Sequence, residues 1–122
     1  MKLLVFLVIA AVLVVIFRLK AAPGLSAEAA RERLREGALL IDVRTVAEFQ
    51  AGHLTNAVNI PLDQVKAELP RRVPDKSAVV LLHCQSGQRS GQAQAQLQAM
   101  GYTNAFNLGS YDRAAKIVGG KD

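Results

Sequence analysis

An α/β domain built on a largely parallel sheet is predicted by two features: short apolar runs alternate with helical stretches, and one of those runs is apolar without interruption. The segments 38–43, 57–60, 78–83 and 105–108 are bounded by turn residues and read as strands. Between and after them, 46–51, 62–69, 90–100 and 111–118 read as helices. The run Ala78-Val79-Val80-Leu81-Leu82 lacks the polar alternation of a half-exposed strand, so it belongs at the centre of a sheet covered on both faces. In such sheets chemistry gathers beyond the carboxyl ends of the strands.

The chain has 122 residues, enough for one domain with a real core and too few for two of ordinary size. Its first element is an apolar run of fifteen residues, 3–17, flanked by Lys2, Arg18 and Lys20. As a helix, residues 3–19 extend roughly 25 Å, which reaches across a thin bilayer if the flanking cations snorkel. A transmembrane helix is therefore expected ahead of the domain, and the alternative is a secretory signal, with Ala22, Gly24 and Ser26 as small residues near a cleavage site. Arg18, Lys20, Arg31, Arg33 and Arg35 outweigh the charge before the run, so a single-pass protein with a cytoplasmic domain is expected, with a periplasmic or exported domain as the alternative. The organisation is thus 1–20 as a transmembrane anchor or uncleaved signal segment, 21–25 as a linker and 26–122 as the folded domain.

Ser26 is suited to cap a charged helix that stops at Gly37. The formal charge is +5, but without Lys2, Arg18 and Lys20 twelve basic residues face ten acidic ones. That balance is no nucleic-acid footprint, so no nucleic-acid partner is expected. A single cysteine excludes an intrachain disulfide, and with two histidines it offers no metal-ligand spacing. The segment 92–98, where Gln alternates with Ala or Leu, reads as a solvated helix with Ala93, Leu97 and Met100 turned inward.

The chemistry concentrates in His83-Cys84-Gln85-Ser86-Gly87-Gln88-Arg89-Ser90, where the most apolar strand gives way to a long helix. Backbone N–H groups converge at a helix amino terminus, and the helix dipole adds roughly half a positive charge there. A cysteine opening such a loop has its thiolate, the nucleophilic form, stabilised at neutral pH. Gly87 permits a positive φ, and Arg89 supplies a fork of donors suited to an oxyanion or a sulfur anion. His83 precedes Cys84 on a strand, so its side chain is expected on the opposite face and not as general base. Asp42, Arg44 and Glu48 read as a structural ion-pair network, and His53 as a turn residue bonded to backbone.

Cys-Gln-Ser-Gly-Gln-Arg-Ser resembles the active-site loop of the rhodanese family, which cradles a cysteine persulfide in six residues from Cys to Arg. The resemblance continues through Ile41-Asp42-Val43-Arg44, Glu48-Phe49, Gly52-His53-Leu54 and Ala57-Val58-Asn59-Ile60-Pro61, and through Gly101-Tyr102 and Asn107-Leu108-Gly109. It covers nearly all of 26–118 and implies a rhodanese-like three-layer domain with a central, mostly parallel sheet. It also implies a sulfurtransferase that moves a sulfane sulfur from a donor such as thiosulfate or a persulfide to a thiol or cyanide-like acceptor. Cys84 would be the catalytic nucleophile and Gln85, Ser86, Gly87, Gln88 and Arg89 the cradle, with no metal and no cofactor.

The chain departs from the family where Thr55-Asn56 replaces a frequent Pro-Gly, a turn that Asn can keep in the left-handed region. Ser110 follows Gly109 where a second glycine is common, and the chain has no Trp, which puts the packing of the last helix in question. Gln85 and Gln88 are neutral where thiosulfate-type members often carry charge. Two rival functions share the fold. A cysteine phosphatase or arsenate reductase places five residues between Cys and Arg, whereas Cys84 and Arg89 enclose four; a non-catalytic binding module has no use for that pair.

Overall fold

The computed structural model describes residues 2–20 and 24–120, the side chains of 14–20 excepted. Residues 21–23 of the expected linker and the last two residues of the chain lie outside this range. The elements run α1 (Lys2–Lys20), α2 (Ala27–Arg35), β1 (Leu39–Asp42), α3 (Val46–Ala51), β2 (Val58–Asn59), a 3-10 turn (Leu62–Gln64), α4 (Val65–Arg72), β3 (Val80–His83), α5 (Gln88–Ala99), β4 (Ala105–Gly109) and α6 (Tyr111–Val118). All four expected strands form, each within a residue or two of its expected limits. The helix expected over 62–69 divides into the 3-10 turn and α4, since Pro61 leads the chain into the turn and Pro70 sits within the helix.

The strands form one parallel sheet in the order β2-β1-β3-β4. Every residue of β3 is buried, as its unbroken apolar run requires of a strand covered on both faces. One face packs Ile41, Val80, Leu82 and Cys84 with Val65 and Leu69 of α4 and Ala93 and Leu97 of α5. The other packs Leu40, Leu81 and Leu108 with Ala30 of α2 and Ala114 and Ile117 of α6. The result is three layers: α4 and α5, then the sheet, then α2 and α6. The last helix packs without Trp through Ala114 and Ile117, and Ser110 caps it, its side chain accepting from the Arg113 N–H at 3.1 Å. Asn56 takes φ 67° and keeps the turn that replaces Pro-Gly.

Beyond β1, a buried ion pair fixes the start of the next connection. Asp42 is fully buried and Arg44 5% exposed. The Arg44 Nη2 donates to Asp42 Oδ2 at 2.7 Å, and its Nε and backbone N–H reach the same carboxylate at 3.0 Å. Arg44 Nη2 also donates to the Gly52 carbonyl at 2.7 Å, and the guanidinium lies 4.8 Å from the Tyr111 ring centroid. The expected network is therefore real for Asp42 and Arg44, but Glu48 lies outside it and pairs elsewhere.

The transmembrane helix expected ahead of the domain is not supported. Among the described residues no helix is long and apolar enough to cross a membrane. The physical reason is length: fifteen uninterrupted apolar residues reach ~22 Å as a helix, against a hydrocarbon core of ~30 Å. The side chains of α1 that are described, Leu3 to Leu13, are all exposed, with Leu3 at 75% and Phe6 at 70%.

Removing one partner of a buried, fully hydrogen-bonded ion pair strands the other charge. Asp42→Ala is expected to destabilise the domain by about 3–5 kcal/mol, measured as a lowered urea midpoint with the slope of the transition unchanged.

Candidate active site

Cys84 follows the last residue of β3, and the chain must pass from the buried strand into α5 within the three residues Gln85, Ser86 and Gly87. Two constraints make that turn possible. Gly87 has φ +96°, and a Cβ added to it would stand 3.2 Å from the Gly109 Cα, so the loop rests directly on the backbone of β4. The loop is also tied down by its neighbours: the Cys84 N–H donates to the Gly109 carbonyl at 3.3 Å, the Tyr111 N–H donates to the Gln85 carbonyl at 3.2 Å, and Ser86 bridges Ser110. The side-chain amide of Asn107 donates to the Gly87 carbonyl at 3.1 Å.

This path directs donors at one atom. The Cys84 Sγ accepts from the Gly87 N–H at 3.0 Å and from the N–H and hydroxyl of Ser90 at 3.4 Å each. Burial of the thiol pushes its pKa up, but hydrogen bonds from the Ser90 hydroxyl and from the backbone of Ser90, Gly87 and Ser86 outweigh burial, and the net shift is downward. The sulfur is thus poised toward thiolate although Cys84 is fully buried. The sequence alone assigns no role to Ser90. The signal for it is positional, because the first turn of a helix presents both its N–H groups and its short hydroxyls toward the residue that opens the loop.

The side chains of Gln85, Ser86 and Gln88 are exposed, so what they bring to the cradle is backbone. Arg89 differs from expectation. Instead of closing over the sulfur, its Nη1 and Nη2 donate to Glu48 Oε1 and Oε2 at 2.6 and 3.0 Å, a two-pronged pair with each side chain about one third exposed. Glu48 belongs to the capping box of α3: its Oε1 also accepts from the Thr45 N–H and hydroxyl, at 3.1 Å each. The Arg89 guanidinium and the Thr45 donors hold the Glu48 carboxyl down at about 2. Sequence alone could not find this pair, since the partners are 41 positions apart and no local pattern links them.

The two histidines stand apart from the sulfur. His83 is fully buried. Its Nδ1 lies 3.2 Å from the Cys84 carbonyl, its Nε2 3.6 Å from Asp42 Oδ2, and its ring edge-on to Tyr111 at 5.8 Å. Burial keeps its pKa below the ordinary value, against the pull of Asp42. His53 is exposed, stacks on Phe49 at 3.8 Å and bonds the Phe49 carbonyl through Nδ1 at 2.9 Å. Arg89 forms one wall of a cavity of about 480 Å³, otherwise bounded by Val43, Thr45, Pro61, Leu62, Asp63 and Gln96. Another cavity, of about 440 Å³, adjoins Arg31, Leu39 and Ile117 at the opposite end of the strands and contains no nucleophile.

Two outcomes follow from these contacts. Ser90→Ala removes the hydroxyl donor and is expected to raise the thiol pKa, seen as an upward displacement of the pH midpoint for alkylation of Cys84 by iodoacetamide. For Glu48 the folded pKa is about 2 against an ordinary 4.5. Its contribution to stability is therefore present above pH 4.5 and lost as pH falls toward 2. The stability gap between the unsubstituted chain and Glu48→Gln, read by urea unfolding, is expected to narrow over that interval.

Comparison with known proteins identifies the family of the fold. The model of the Rhodanese-like domain family matches residues 26–115. The thiosulfate sulfurtransferase PspE of Escherichia coli (strain K12) is 45% identical over 69 residues, a match covering 57% of this chain and 66% of that protein. The chain therefore spans just under two thirds of the length of that relative. Among solved structures, an E. coli rhodanese with anions superposes with a TM-score of 0.61 at 40% identity, covering 63% of this chain and 91% of that one. The human single-domain sulfurtransferase TSTD1 gives 0.67 at 30% identity, covering 77% and 96%. With the family model matching most of its length and the loop, sheet order and flanking helices all in place, the chain belongs to the rhodanese-like family.

Proposed function

We propose that the protein is a sulfurtransferase that carries sulfur as a persulfide on Cys84. The observation that carries this reading is the convergence of Gly87 and Ser90 donors on a single sulfur at the head of α5. In the first half-reaction the Cys84 thiolate attacks the outer sulfur of a sulfane donor. The donor's S–S bond breaks, its electron pair leaves with the remainder of the donor (sulfite, if the donor is thiosulfate), and a Cys84–S–S⁻ anion remains. In the second, a thiol or cyanide-like acceptor attacks the terminal sulfur and Cys84 returns as thiolate. No net oxidation occurs across the two steps.

The proposed cradle is the backbone of Gln85, Ser86, Gly87, Gln88 and Arg89; within it the Gly87 N–H, joined by the N–H of Ser90, already points at the sulfur and needs no rearrangement as charge moves onto the outer sulfur. The relatives named as sulfurtransferases support the activity. Cys84 is fully buried, so the loop must admit the donor to the sulfur. An oxyanion-processing phosphatase or arsenate reductase is disfavoured by the four-residue spacing and by the engagement of Arg89 with Glu48.

Placement in the cell belongs to the same proposal. The described side chains of α1 bury nothing against the domain and are apolar on every side, which favours lipid or the export machinery over water as their surroundings. The basic residues after the run favour a cytoplasmic domain, with export as the alternative. Protease added outside intact cells is expected to leave the domain uncut, and digestion would favour export.

Intact-mass measurement after incubation with thiosulfate or a thiol persulfide tests the activity. The full chain is expected to gain one sulfur atom that cyanide removes and that Cys84→Ser never acquires. A chain left unmodified by every donor would transfer the assignment to the oxyanion or binding-module readings.

A further inference from the structure

The charge environment of the loop points to a donor class, an inference that rests on the persulfide reading above. We propose that Glu48 is a specificity-determining residue that withholds Arg89 from incoming donors, so that Cys84 is loaded by sulfane compounds of low charge in preference to dianions such as thiosulfate. Three observations converge on it. First, both terminal nitrogens of Arg89 are bonded to Glu48, at 2.6 and 3.0 Å, so the only basic side chain of the loop is neutralised within a two-pronged pair. Second, nothing else in the loop replaces that charge. Gln85, Ser86 and Gln88 are uncharged, and the nearby Arg44 is bound to Asp42. The other ionisable wall of the cavity beside Arg89 is Asp63, which is itself acidic.

Third, Glu48 is not a loose surface carboxylate that a donor can displace by swinging it aside. Its Oε1 is anchored by the Thr45 N–H and hydroxyl, both at 3.1 Å, in the capping box that starts α3. A donor that recruits Arg89 must break the pair and leave the carboxylate facing its own negative charge. The backbone N–H groups and the helix dipole still attract one negative charge. A second charge on the donor has no unpaired cation of the loop to meet it and stands against Glu48 and the Cys84 thiolate.

The balance of the loading step is the same for either class. A thiosulfonate monoanion transfers its outer sulfur to Cys84 and leaves as sulfinate, and thiosulfate transfers its outer sulfur and leaves as sulfite. Only the charge brought to the loop mouth differs, so the ratio of the two rates isolates the effect of Glu48 from the intrinsic reactivity of Cys84.

The test compares kcat/KM for thiosulfate with kcat/KM for benzenethiosulfonate, using the full chain, cyanide as acceptor and three variants. Glu48→Gln keeps a side-chain carbonyl for the capping box, so the start of α3 survives, and it frees Arg89. The thiosulfate-to-thiosulfonate ratio is expected to rise about tenfold, the factor that ~1.4 kcal/mol of charge pairing gives. Arg89→Gln, which leaves Glu48 unneutralised, is expected to lower the ratio below that of the unsubstituted chain, and the double variant is expected to lose the gain seen in Glu48→Gln. A ratio unchanged or lowered in Glu48→Gln would overturn the selectivity role while leaving the persulfide reading intact. Absence of sulfur transfer from both donors in the unsubstituted chain would instead remove the persulfide reading, and the selectivity with it.

Discussion

The contact on which the rest of the site depends is the approach of one backbone to another at Gly87 and Gly109. The chain must leave a fully buried strand, reverse its course and begin a helix whose first N–H groups point back at the residue that closed the strand. Gly87 does this at φ +96°, with Gly109 at φ +97° directly beneath it. A Cβ on Gly87 would lie 3.2 Å from the Gly109 Cα and 3.3 Å from its carbonyl carbon. The side-chain-free contact lets the loop lie flat on β4. From there the Gly87 N–H reaches the Cys84 sulfur at 3.0 Å. A residue with a side chain at position 87 meets both the strained backbone region and that close contact.

Electrostatics in this small domain is organised as two paired units on either side of the β1 to α3 connection. The inner one, Asp42 with Arg44, is buried and holds the strand end against Tyr111 and the Gly52 carbonyl. The outer one, Glu48 with Arg89, joins the start of α3 to the start of α5 across the sheet's carboxyl edge. Arg44 and Arg89 are thereby each matched to a carboxylate, and the hydrogen bonds that stabilise the thiolate come from neutral N–H and O–H donors. Such donors stabilise one negative charge on a sulfur without placing a strong free cation beside it.

Much of the fold was readable because its signals are local. Ser26 stands at a helix start with its side chain bonded back to the backbone, as its place in the sequence suited it to do. The run ending at Leu82 has no polar alternation because both its faces are covered. The turn at Thr55-Asn56 kept its form because Asn tolerates the left-handed region that the structure assigns to it. The expectation of a membrane-crossing helix came from the same kind of local reading and was not supported, because apolarity along a segment says what it avoids but length decides what it can cross.

By itself, therefore, the sequence determined the order of strands and helices, the position of the cysteine at the end of the central strand, and the loop whose N–H groups surround it. These follow from periodicity, capping and glycine placement, which act over a few residues. Only the tertiary structure decided which distant groups the loop's residues meet: Asp42 and Tyr111 beside His83, and Glu48 on Arg89. The pairing of β1 with β3 brings Asp42 beside His83, and a contact between positions 41 apart in the chain leaves no mark in either one's neighbours.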